Sequence, residues 1–127
     1  MNSPATDLAA KLATAGVGTI GTNLFVQRMP DDPDTCVCLY DYEGSSIDTL
    51  CSFSLEDFRV QVIARANTYA VAWAKMLAVQ AVLDYIARET IGGTYYHVAY
   101  RRSLPFSLGQ DARDRAEISQ NYAGIRQ

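Results

Sequence analysis

The stretch "FRVQVIARANTYAVAWAKMLAVQAVLDYIARE", residues 58–89, contains both periodicities from which a fold class is read. Its first half alternates: Phe58, Val60, Val62 and Ala64 point one way, and Arg59, Gln61 and Arg65 the other, with Ile63 the exception. That two-residue period predicts a strand with one face buried. Asn67 or Thr68 then supplies a side-chain oxygen able to cap a helix, and no proline interrupts the chain up to Gly92 and Gly93. The second half therefore predicts a long helix to about Glu89. At 100° per residue, Val71, Ala74, Ala78, Val82, Tyr85 and Ile86 form an apolar stripe suited to lying on a sheet. The opposite side mixes Gln80, Asp84 and Arg88 with Trp73 and Leu77. These two large apolar groups sit where a lone subunit meets water, so they either pack beneath a local loop or are covered by another subunit.

Upstream, Ser3 or Thr6 caps a short helix through Ala15, with Pro4 in its first turn and Gly16 at its end. The β-forming runs TNLFVQRM (22–29) and TCVCLYDY (35–42) flank the turn residues PDDPD, which predicts two strands joined by an acidic hairpin loop. Residues 43–57 show no sustained period and are expected to form a loop of about fifteen residues, a length associated with function. Downstream, TYYHVAYR (94–101) and the run from Pro105 to Tyr122, with a turn at Gly109–Asp114, complete the sheet. The fold class is α+β: one domain over residues 1–127, with a mainly antiparallel sheet of four to five strands. One long helix and a short N-terminal helix pack on that sheet.

Composition narrows the function. With 49% hydrophobic and 20% charged residues the chain is set to fold around a core rather than stay disordered. The most apolar stretch, Tyr69 to Ile86, is broken by Lys75, Gln80 and Asp84, so no membrane span is expected. The start MNSPATDLAAKL lacks the basic and apolar regions of an export signal. Cys36, Cys38 and Cys51 are an odd set within apolar segments and read as reduced core thiols. Charge is uneven: residues 1–57 carry nine acids and two bases, and residues 58–127 five acids and nine bases. Such halves are either scattered surface charge or opposite patches that meet across copies.

Individual motifs do not add up to chemistry. GVGTIG (16–21) has the glycine spacing of a dinucleotide loop, but a helix precedes it and a strand follows, the reverse of what seats a pyrophosphate. CVC places two sulfurs on one strand face without the four ligands of a closed zinc site. His97 is the single histidine, in an aromatic strand with no nucleophile marked beside it. Asp31, Asp32 and Asp34 lack the glycine and distal glutamate of a calcium loop. Arg101, Arg102, Arg113 and Arg115, near Tyr95, Tyr96 and Tyr100, suggest a single-strand nucleic-acid platform. The acidic balance of the whole, with a pI near 5.0, speaks against it, and pairing of these arginines with acids in the fold or on a neighbour fits better. No catalytic group, metal site or cofactor site follows.

Taken in order, VCLYDYEG (37–44), FRVQVIARANTYAVAWAKM (58–76) and LPFSLGQDARDRAEISQNY (104–122) resemble the tail terminator family of long-tailed bacteriophages, also labelled minor capsid proteins. The resemblance runs from about Leu24 to Tyr122. It departs in the final turn, where Ala112-Arg113-Asp114 stands in place of the family's glycine. The resemblance implies a non-enzymatic virion protein, made in the host cytoplasm. Six copies would form a ring that caps the tail tube and joins it to the head, with DNA passing through unread. The implied partners are copies of the chain itself, the tail tube protein and a head-completion or neck protein. On that reading Trp73, Leu77, Arg113 and Arg115 are subunit-interface candidates. Asp31, Asp32, Asp34 and Asp48, on loops 30–35 and 43–57, face axial partners or the lumen. A head-completion ring protein, or a small nucleic-acid-binding domain using Tyr95–Arg102, are the alternatives.

Overall fold

A computed structural model describes residues 1–47 and 55–127. Among the described residues two helices, α1 (Pro4–Thr14) and α2 (Tyr69–Leu83), accompany seven strands: β1 (Leu24–Val26), β2 (Cys36–Ile47), β3 (Leu55–Ala66), β4 (Ala87–Ile91), β5 (Thr94–Arg101), β6 (Phe106–Gln110) and β7 (Ala116–Arg126). They form one mixed sheet in the order β1-β2-β3-β7-β5-β4, with β6 beside β7. The α+β class stands and the sheet is mainly antiparallel as expected, with one parallel pair, but it is larger than the four to five strands expected.

Both helices start where the sequence places them. Ser3 accepts from the Thr6 N–H and Thr68 from the Val71 N–H, each satisfying a donor the first turn leaves free. On β3, Phe58, Val60, Val62 and Ala64 are all buried, and their partners on β7 are Gly124, Tyr122, Gln120 and Ile118. That face carries the core, closed by Leu8 and Leu12 of α1 and by Met76, Val79 and Leu83 of α2. Each such side chain contributes about 1.5–3 kcal/mol when fully buried.

Four expectations are corrected. First, β1 and β2 are not a hairpin but a parallel pair, Leu24 opposite Val37. Parallel neighbours normally need a long crossover. Here β1 spans only three residues, so the chain leaves the sheet at Gln27, in the left-handed region (φ 64°), and the acidic loop returns it to the same level. Second, residues 43–47 and 55–57 are not loop: they prolong β2 and β3, past a register shift between Tyr42 and Ser45.

Third, α2 ends at Leu83, capped at Asp84, rather than at Glu89. Ala87–Ile91 is instead β4, paired with β5 across Gly92-Gly93, whose φ of 59° and 83° suit a tight two-residue hairpin. Fourth, the inward stripe of α2 is Ala72, Met76, Val79 and Leu83; Val71, Ala74, Ala78 and Tyr85, expected on the sheet, face out. No described helix is long and apolar enough to cross a membrane.

Candidate interaction surfaces

The acidic loop and the basic C-terminal turn, singled out as separate surfaces, meet inside one protomer. Arg65 projects from β3 on the sheet face away from the helices. Its Nη2 donates to the carbonyls of Pro30 and Pro33, both at 2.7 Å, and its Nε to that of Asp34 at 3.3 Å. Arg115 is 2% exposed. It donates to the Asp31 carbonyl, to Asp34 Oδ1 at 3.2 Å and to Asp111 Oδ2 at 2.8 Å. Arg113 reaches Asp32 Oδ1 at 3.5 Å from an exposed position.

Thus much of the charge asymmetry of the two halves is compensated within the chain. Arg126 adds to this by pairing with Glu56 and Asp7. The carboxylates of Asp31 and Asp32 nevertheless stay more than four-fifths exposed, so the pinned loop presents negative charge outward. Asp48 and Cys51 lie outside the described residues.

Asp111 anchors this clamp. Its carboxylate accepts from the backbone N–H of Arg115 at 2.9 Å and of Arg113 at 3.0 Å, and from Arg115 Nε. Those bonds, the Arg115 N–H first, hold its carboxyl below the ordinary 3.8. A depressed folded pKa stabilises fully above the unfolded value and is lost as pH falls through the folded one, so the clamp loosens only on the acid side of 3.8. Unfolding midpoints followed down the acid limb will fall more steeply for the natural chain than for Asp111→Asn; parallel limbs would refute the assignment. In the same turn Asp114 sits at φ 61°, where the family's glycine was missed, and aspartate tolerates that conformation better than most residues.

The second surface is the outside of α2. Trp73, expected either beneath a local loop or against another subunit, is half-buried, stacks on Tyr69 (5.9 Å, 27°) and packs against the core, so it belongs to the flank of the helix. Leu77 is 47% exposed, as expected. With Ala70, Ala74, Ala78, Ala81 and Tyr85 it makes an outward face that carries no charge. A surface helix ordinarily turns polar residues to water.

A third apolar group lies along β5 and β6: Tyr100, Leu104, Phe106 and Leu108 are each at least 40% exposed. The two strands follow one another along the same side of β7, interrupted at Ser103, whose Oγ accepts from the Asn121 N–H and whose carbonyl accepts from Gln120 Nε2. Tyr96 does not join Tyr95 and Tyr100 in an aromatic platform. It is buried, with its hydroxyl on Asp7 Oδ2 at 2.6 Å.

The remaining residues weighed in the sequence have structural surroundings. Cys36 and Cys38 share one strand face, as predicted, and burial pushes both thiols up. His97 Nε2 is 3.1 Å from Gln127 Oε1, and its ring meets Tyr95 edge-on. The GVGTIG segment follows α1 and precedes β1. Among the described residues no group of three or more His, Cys, Asp or Glu is placed to hold a metal ion. Sequence reasoning missed the buried cluster of Asp7, Tyr96 and Arg126.

The family model described as "Bacteriophage tail terminator protein" matches residues 11–126. Among solved structures, a chain of the virion of a native gene transfer agent particle is similar in fold, with a TM-score of 0.60 at 18% identity, covering 99% of this chain and 98% of that one. No curated protein matches significantly.

Proposed function

The chain belongs to the bacteriophage tail terminator family, and from that premise we propose that it is a structural, non-enzymatic virion subunit whose copies close into a ring of six. The ring caps the finished tail tube at its head-proximal end and joins it to a head-completion or neck protein, with DNA passing through the lumen. The observation that supports assembly most directly is the outward face of α2. A helix whose outward face is as apolar as its inward one is suited to burial on both, and in the protomer only Ala72, Met76, Val79 and Leu83 are buried. Outward negative charge at Asp31 and Asp32 fits a surface that meets an axial partner or borders the DNA path without binding it, since phosphate contacts need lysine and arginine. The fold likeness to a chain from a gene transfer agent virion is compatible with the same role.

Electron microscopy of the purified protein, alone and mixed with tail tubes, tests this reading. The expected images show closed rings with a central hole and the same density at one end of each tube. A protein that stays monomeric in both preparations would sink it.

A further inference from the structure

We propose that the outward face of α2 in one copy packs against the β5–β6 strand line of the next, in a head-to-tail contact that repeats around the assembly. The inference rests on the ring reading above and names the two surfaces that make the ring.

The surfaces lie on opposite sides of the protomer. Tyr100 and Phe106 are in register with Ala123 and Ser119 of β7, whose phase points away from the helices. The residues of β7 that face α2 are the alternate ones, Ile118, Gln120 and Tyr122. One copy therefore cannot cover its own second patch with its own helix. A two-fold contact would bury one patch twice and leave the other in water, whereas a head-to-tail contact buries both in every copy.

Size and chemistry agree. Tyr85 is 80%, Leu77 47% and Val71 46% exposed; with the four outward alanines they offer on the order of 500 Å², more than half of the ~800 Å² each partner buries in a standard interface. That is the share expected of an apolar centre inside a polar rim. Ala78 and Ala81 leave small side chains between Leu77 and Tyr85, room that the proposed contact fills with Phe106 and Leu108 of the neighbour.

Charge at the rims is partly complementary. Among the described residues, Lys75 of α2 and Arg88 beyond its end form no ion pair within the protomer, and neither do Asp114 and Glu117 at the β6–β7 turn, although unpaired Arg102 between β5 and β6 adds a positive charge to the strand line. Opposite rims of this kind fix register and orientation more than they add affinity.

Two variants, Leu77→Asp on α2 and Phe106→Asp on β6, separate the possibilities by light scattering after sizing. Each alone is expected to be monomeric and folded, because both side chains are exposed. An equal mixture is expected to give dimers and nothing larger, since one intact α2 face then meets one intact strand line and the chain of contacts stops. Ala81→Glu and Leu108→Asp provide a second pair should either first variant fail to fold. A self-associating Phe106→Asp, or a mixture that stays monomeric, would overturn the head-to-tail pairing. Rings formed by both variants would overturn the surfaces and leave the ring standing. A natural chain that is monomeric at every concentration and on tail tubes would remove the ring reading itself.

Discussion

Asp7→Ala is expected to cost about 3 kcal/mol of folding stability, at the lower end of what breaking a buried ion pair costs. Asp7 has no exposed surface, although it stands in the first turn of a helix. Its Oδ2 accepts from the Tyr96 hydroxyl at 2.6 Å and lies 3.7 Å from Arg126 Nη1, and its Oδ1 accepts from Asn2 Nδ2 at 3.1 Å. The first-turn position adds a favourable interaction with the α1 dipole. Removing the carboxylate leaves the Tyr96 hydroxyl without its acceptor and Arg126, 6% exposed, short of one counter-charge. Arg126 keeps Glu56 at 2.7 Å and the Asn2 carbonyl at 2.8 Å, which holds the loss to the low end of the range.

Asp7→Asn separates charge from hydrogen bonding. It retains the volume and an oxygen for Tyr96, so about half the loss is expected. Denaturant midpoints at unchanged slope are the measurement. If alanine cost less than about 1 kcal/mol, the cluster would be incidental to stability. Because these groups join α1, the β4–β5 hairpin and the C-terminal strand, hydrogen exchange in the alanine variant should rise first in α1.

That cluster also marks the limit of what the sequence shows. Asp7 and Tyr96 stand 89 residues apart in the chain, and neither has a local pattern that names its partner. The acidic loop and the arginines of the last turn were conspicuous as residue types, but a separation of 81 residues between Asp34 and Arg115 hid the fact that they bind each other. Strand β3 was legible because only one of its faces enters the core, so burial prints a period of two. The N-terminus of α2 was legible because Thr68 must satisfy a free N–H.

The inward face of α2 was not legible. Apart from Lys75 and Gln80 its residues are apolar all round, so periodicity selects no stripe, and of the one chosen only Val82 and Ile86 meet the core while Val71, Ala74, Ala78 and Tyr85 face water. That failure and the interaction surface have the same cause: a second apolar face on α2. Strand β4 was hidden by Arg88 and Glu89, good helix formers that prolong the apparent helix, although Gly92-Gly93 between Ile91 and Thr94 is a hairpin signal.

Gly124→Ala should destabilise by about 3 kcal/mol or more, at or beyond the upper end for overpacking. An alanine Cβ at this position would lie 2.1 Å from the Val98 carbonyl oxygen and 2.6 and 2.7 Å from two atoms of the Phe58 ring. Neither obstacle moves freely. Val98 belongs to β5, and Gly124 is paired with Ala99 of β5 on one side and Phe58 of β3 on the other, so β7 has no free edge toward which to shift. Phe58 is 4% exposed and meets Tyr96 edge-on at 5.4 Å. Rotating it disturbs the ring whose hydroxyl Asp7 holds.

Phe58→Leu in the Gly124→Ala background tells the two contacts apart. Shortening the ring removes the side-chain clash and leaves the carbonyl clash. A double variant no more stable than Gly124→Ala would place the strain in the β5–β7 backbone, whereas recovery of about 1 kcal/mol or more, despite the cavity that Phe58→Leu opens, would place it in the ring. Unfolding midpoints of the three variants decide between these. A Gly124→Ala chain within about 1 kcal/mol of the natural one would mean that the strands separate more easily than their pairing on both sides of β7 implies.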